Sequence, residues 1–143
     1  MKILQIANDF CRTKVHSNLF KELDRIGVEQ TVFNAVREEE AIGRNAFESN
    51  HANFIYANVV KPFHKYCYHI KRHHVYKEML NRIDVSEYDV CHASTLFTDG
   101  GLAYELYKQY KIPYFVAIRN TDVNEFMGYL PHTWYDGMKI LLH

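Results

Sequence analysis

The sequence predicts a doubly wound α/β domain, with a mainly parallel sheet flanked by helices. Short apolar runs alternate with segments of helical periodicity along the chain. The first 35 residues already hold a strand–helix–strand unit, whose short connections favour parallel strands and right-handed crossovers. The 143 residues, nearly half of them hydrophobic, suit one domain with one core.

Residues 2–7 are a short, mostly apolar run and read as a buried strand; 8–14 read as a polar loop. Val15, Leu19, Phe20, Leu23 and Ile26 then recur at helical spacing, and Gly27 supplies a stop. Residues 30–35 predict a second strand, favoured by Thr31, Val32 and Phe33. The charged stretch 37–50 reads as a loop or a short exposed helix. A third strand is expected at 54–60. Pro62 opens a long helix that ends near Ile83, proline being favourable in a first turn. The acidic turn 84–87 introduces a fourth strand at 88–94. Gly100-Gly101 begins a helix through Tyr110, and Pro113 precedes a fifth strand at 114–119. Residues 120–137 read as loop and short helix. Residues 138–142 read as the start of a sixth strand, which favours a chain that continues into a longer protein over a short natural one.

Composition narrows the function. Seventeen basic residues balance seventeen acidic ones, which argues against a dedicated nucleic-acid binder. Cys11, Cys67 and Cys91 do not form a disulfide framework and fit a reducing cytoplasm. Cys67 and Cys91 are expected to be buried, with Cys11 the most accessible. The first residues lack the features of a signal peptide. No run approaches the roughly 20 apolar residues of a spanning helix. The expectation is a soluble protein, or one lying on a membrane surface.

In open α/β sheets, ligands bind beyond the carboxyl ends of the strands, where strand order reverses. For the order 3-2-1-4-5 that crevice lies between the first and fourth strands. Asn8, Asp9 and Lys14 follow strand one there, and His92, Ser94 and Thr95 end strand four. Arg119, Asn120, Thr121 and Asp122 end strand five alongside. Loop ends are polar in any such fold, so the signal is the group and not any one member. Arg119 suits a phosphate or carboxylate, and equally suits an ion pair with Asp122 or Asp9. Gly100-Gly101 after Asp99 could offer backbone donors to an anion; a plain N-cap by Asp99 is the favoured reading. No G-x-G-x-x-G or Walker loop is present. His69 and His73 lie one turn apart, but no acidic or cysteine partner has the spacing to complete a metal site, so no metal is expected. The 62–83 helix mixes Lys61, Lys65, Lys71, Arg72 and Lys77 with Phe63, Tyr66, Tyr68 and Tyr76. That mixture suits an anionic membrane surface, although packing on the sheet is favoured. Phe63, Tyr66, Cys67, Ile70 and His74 share one face, whereas Met79, Leu80 and Ile83 share another, which hints at a kink.

The opening segment KILQIAND at 2–9, the helix ending at Gly27 and VEQTV at 28–32 resemble the start of the family-four retaining glycosyltransferases of the GT-B fold. YDVCHAS at 88–94 resembles that family's "D-V-(I/V)-H-A-H" segment, and IPYFVAIRNTD at 112–122 resembles the strand that ends "H-G-x-D". The resemblance covers the whole chain. It implies that 1–143 is a Rossmann-like, acceptor-side domain, the N-terminal half of a GT-B fold, followed by a C-terminal donor-binding domain. It implies transfer from a nucleotide-sugar co-substrate to a glycan or lipid-linked acceptor in polysaccharide biosynthesis, with no other cofactor. The cysteine usage sets the expected location in the cytoplasm, and the composition of the 62–83 helix adds to packing the expectation of peripheral contact with the inner face of an anionic membrane. This chain alone is expected to be inactive. The family's first loop is glycine-rich and approaches the donor phosphates; here Phe10-Cys11-Arg12-Thr13-Lys14 has no glycine, leaving Arg12 or Lys14 to supply charge. The family's active-site histidine falls at Arg119. The resemblance thus puts Arg119 and Asp122 on the catalytic side, and Asn8, Asp9, Arg12, Lys14, His92, Ser94, Thr95 and Asn120 on the substrate side. The rival expectation is a non-catalytic α/β ligand-binding or protein-interaction module. Its receiver-like version fits poorly, because Val59-Val60-Lys61 stands where an aspartate is wanted.

Overall fold

The strands are β1 (Lys2–Ile6), β2 (Glu29–Val36), β3 (Ala52–Asn58), β4 (Val90–Ala93) and β5 (Tyr114–Val116). They form one parallel sheet in the order β3-β2-β1-β4-β5, with β1 at its centre. The structure, a computed structural model, describes residues 1–126 and 131–143. The helices are α1 (Lys14–Arg25), α2 (Tyr68–Arg82), α3 (Thr98–Tyr110) and α4 (Pro131–Leu141).

Alternation along the strands distributes the helices over both faces. Phe33 and Ala35 of β2 join Leu4, Ile6, Cys91 and Ala93 in the larger core, under Val75 and Met79 of α2 and Leu102 and Leu106 of α3. Val32 points the other way and packs with Phe10 and Phe20 against α1. This is the doubly wound, Rossmann-like arrangement. On the α1 face the centre of the sheet is polar. Gln30 Nε2 donates to the Phe20 carbonyl, Gln5 Nε2 donates to Gln30 Oε1, and His92 Nδ1 donates to Gln5 Oε1.

Local chemistry explains the element ends. Thr13 caps α1 by accepting the Val15 N–H. Gly27, at φ +80°, closes the helix: its N–H reaches the Asp24 carbonyl, and that of Val28 reaches Leu23. This is a Schellman motif, and glycine suits its left-handed position. A short 3₁₀ turn, Glu39–Ala41, lies in the charged stretch expected to be loop or exposed helix.

The long helix expected at 62–83 is instead a 3₁₀ turn, Pro62–Lys65, followed by the separate α2. His64 holds the break. Its Nδ1 accepts the Lys61 N–H at 3.0 Å, so its Nε2 carries the proton given to His74 Nδ1, also at 3.0 Å. The packed face is that of Val75, Tyr76 and Met79, whereas Phe63, Tyr66 and Ile70 are exposed. Cys67 is accordingly half-buried and not buried as expected, like Cys11, while Cys91 is buried.

The sixth strand expected at 138–142 does not form: the segment is helical as far as Leu141. A run of Ile and Leu fits either period. Here Gly137 and Ile140, three residues apart, face Phe97 and Gly100, and Ile140 is buried with Leu96 and Phe97. In the stretch expected to be loop and short helix, Asp122–Phe126 forms a π-helical turn, and 127–130 lies outside the described residues. The third strand begins two residues before its expected start, and the fourth and fifth are shorter than expected. Arg119 therefore lies in the loop beyond β5 and does not end the strand.

Candidate functional site

Asn8, just past β1, joins three elements. Its side-chain carbonyl accepts the Ala35 N–H of β2 at 3.1 Å. Its backbone N–H and Nδ2 both donate to Asp99 Oδ1 of α3, at 3.2 and 2.5 Å. Thr95, in the loop after β4, donates its hydroxyl to Asp99 Oδ2 at 3.0 Å. Asp99 is fully buried, and burial pushes its carboxyl up to about 7, against the pull of the Asn8 and Thr95 bonds. The expected N-cap role is overturned. The cap position belongs to Phe97, and Asp99 turns inward one residue inside the helix. The Gly100-Gly101 amides are likewise not an anion nest, because they donate to the Thr95 and Phe97 carbonyls. These glycines serve close packing. A Cβ on Gly100 would sit 3.1 Å from Ile140 of α4, and one on Gly101 would sit 2.9 Å from Arg72 of α2.

Beside this junction, over the ends of β1 and β2, lies a cavity of about 230 Å³. Among the residues singled out in the sequence, Asn8, Asp9, Arg12 and Thr95 line it. Arg37, Glu38, Arg44, Thr98 and Lys71 line it too, and sequence reasoning missed them as a group. Lys71 is half-buried near the start of α2. Burial lowers its ammonium pKa; Asp99 and Asp9 oppose this, and Arg12 and Arg37 reinforce it. Cys11 also lines the cavity. Its thiol donates to the Ala41 carbonyl and accepts from Asn34 Nδ2, and burial raises its pKa.

Lys14, His92, Ser94, Arg119, Asn120 and Asp122 do not line this cavity. The single rim expected from the sequence is divided. Arg119 Nε donates to the Ser94 carbonyl at 2.8 Å, and Nη2 donates to His16 Nδ1 at 3.3 Å. Buried Asp122 accepts two backbone N–H groups, from Arg119 at 2.8 Å and from Leu96 at 3.2 Å. The guanidinium is thus not in an ion pair with Asp122 or Asp9 among the described residues. Asn120 bonds Asn124, and Lys14 is exposed at the head of α1. His92 stacks on Phe115 and is pushed down to about 4, first by burial and then by the charges of His16 and Arg119. His16, buried on α1, was not anticipated; burial and Arg119 lower its pKa. The buried Ser94 hydroxyl has no hydrogen-bond partner among the described residues.

Among the described residues no group of three or more His, Cys, Asp or Glu is placed to hold a metal. No described helix is long and apolar enough to cross a membrane. No protein-family model matches the chain, and neither a curated protein nor a solved structure does so.

Proposed function

We propose that the chain is the acceptor-binding domain of a glycosyltransferase, with the acceptor seated in the cavity over β1 and β2. The observation that carries this reading is the Asn8–Asp99–Thr95 junction beside a cavity of about 230 Å³, at the point where strand order reverses between β1 and β4. That is where open α/β sheets take their ligands. The family-like segments at 2–9 and 88–94 lead into the loops on either side of this junction.

On this reading the chain forms one wall of a cleft that holds donor phosphate and acceptor hydroxyl together and excludes water. Asp9 and the lone pairs left on the Thr95 hydroxyl supply acceptors suited to sugar hydroxyls, while Asn8, held by Ala35 and Asp99, positions them. A C-terminal donor-binding domain of the same protein grips the nucleotide sugar, since the first loop has no glycine to bring backbone close to phosphate. Arg119 and Asp122 shape the β4–β5 side of the cleft. The setting proposed is cytoplasmic. Exposed Phe63, Tyr66 and Ile70 beside Lys61 support peripheral contact with an anionic membrane and a lipid-linked acceptor.

Titration of the isotope-labelled chain with neutral and phosphorylated saccharides, and with uridine-, guanosine- and cytidine-diphosphate sugars, tests the reading by NMR. Saccharides should move the amide signals of Asn8, Arg12 and Thr95, while the nucleotide sugars bind weakly. Micromolar binding of a nucleotide sugar, or the lack of any saccharide response at these amides, overturns it.

A further inference from the structure

We propose that the cavity over β1 and β2 is a phosphate subsite, in which Arg12, Arg37, Arg44 and Lys71 hold a phosphomonoester or diphosphate group of the ligand. The proposal rests on the reading of this crevice as the ligand site, and deepens it by naming the chemistry.

Four cationic side chains line the cavity against two acidic ones, Asp9 and Glu38. The cations are not consumed by the fold. Arg12 reaches Asp9 only at 3.8 Å, with both side chains largely exposed, a contact worth little. The side chains of Arg37, Arg44 and Lys71 make no ion pair or hydrogen bond among the described residues. Lys71 is the most telling, because its ammonium is partly withdrawn from water beside the cavity, with Asp99 and Asp9 pulling on it and Arg12 and Arg37 opposing them. A desolvated charge among like charges is costly unless an anion joins it. Neither Asp99 nor Asp9 closes an ion pair with Lys71 among the described residues: the Asp99 oxygens accept from Asn8 and Thr95, and Asp9 faces Arg12.

The arrangement selects phosphate. Three guanidinium forks and an ammonium suit several oxygens carrying more than one negative charge. A single carboxylate would leave cations unmatched. At about 230 Å³ the cavity is smaller than the ~300–1,000 Å³ typical of a pocket that encloses a whole drug-sized ligand. It takes a charged head and leaves the remainder of the acceptor outside.

Calorimetry on the full chain tests this with inorganic pyrophosphate and glucose 6-phosphate as soluble probes and glucose as the neutral control. A parallel arm uses phosphatidylcholine vesicles with and without phosphatidic acid. Two variants accompany the wild type: Lys71→Met, and the double variant Arg37→Gln/Arg44→Gln, whose exposed positions leave folding intact. Thermal unfolding of each variant checks the fold. Saturable binding of a phosphate probe, weakened about tenfold or more in a folded variant, is the expected result, since one charge-assisted contact is worth that much. Binding of the soluble probes identifies a free phosphoester as the source. Binding confined to vesicles carrying phosphatidic acid, and lost in the variants, identifies a lipid headgroup. No saturable phosphate binding in either arm, or binding unchanged in both variants, overturns the subsite. Phosphate binding without a saccharide response at Asn8 and Thr95 removes the acceptor reading but leaves the subsite standing. The reverse pattern removes the subsite alone.

Discussion

The two sides of the crevice use charge in opposite ways. On the β4–β5 side, Arg119 and Asp122 spend their polar atoms on backbone groups and on His16. On the β1–β2 side, Arg37, Arg44 and Lys71 line open space, and their side chains make no ion pair or hydrogen bond among the described residues. A strong cation at a strand end therefore says little by itself. What separates a structural arginine from a binding one is whether nearby carbonyls already occupy its donors. Position decides this: the turn at 119–122 folds back onto β4 and sets Arg119 against the Ser94 carbonyl, whereas the loop after β2 is tied down through the Ala41, Arg44 and Asn45 backbone and leaves the Arg37 and Arg44 side chains exposed.

The largest expected effect lies on the spent side. Asp122→Ala strands two backbone N–H groups in a buried place and should cost about 3 kcal/mol of stability, read by urea denaturation. Arg119→Ala should cost less, about 1–2 kcal/mol. It should also let His16 and His92 titrate at higher pH by NMR, since the Arg119 charge adds to burial in lowering both. A cost below about 0.5 kcal/mol for Asp122→Ala, the range of ordinary surface substitutions, would place that side on the same footing as the other.

The second effect sits at the boundary. The Asp99 carboxyl is raised to about 7 from 3.8, so the folded state holds its proton more tightly than the unfolded state. Its contribution is fully present below pH 3.8 and is lost as pH rises through about 7. Asp99→Asn should remove this loss and stabilise the protein at pH 7.5 relative to pH 5 when each is compared with wild type. His92, lowered to about 4, works in the opposite sense: its stabilising contribution is lost as pH falls from about 6.5 towards 4. The difference between variant and wild type cancels that part. An unchanged pH dependence in Asp99→Asn would show that another group carries it.

The smallest effect lies on the unspent side. Arg37→Gln/Arg44→Gln should change stability by no more than about 0.5 kcal/mol, as surface substitutions usually do. A cost above about 1 kcal/mol would mean that these arginines are structural, and the contrast between the two sides would fail.

Some of this was legible in the residues. The αβ alternation and the stop at Gly27 follow from periodicity and backbone preference, which act locally, and the central place of the first strand follows from the rules for parallel crossovers. Asn8, Asp9 and Thr95 were found because topology alone brings the ends of β1 and β4 together, and Arg12 was found only through the family resemblance of the first loop. Lys71, Arg37 and Arg44 were not, although the 62–83 segment was noted for its basic residues. Nothing local shows that the turn at 62–65 folds back and lets the head of α2 approach the loop after β2.

The sequence alone pointed to a mainly parallel sheet with its first strand central, because that depends on apolar period, connection length and handedness; the full strand order entered only as a condition. Only the tertiary structure decided that Asp99 turns inward, that residues 138–141 pack as helix against α3, and which arginines are already bonded. Each of those outcomes depends on which partner lies within hydrogen-bond or packing distance, and such partners are far apart along the chain: Asp99 meets Asn8 across 91 residues and Arg119 meets His16 across 103.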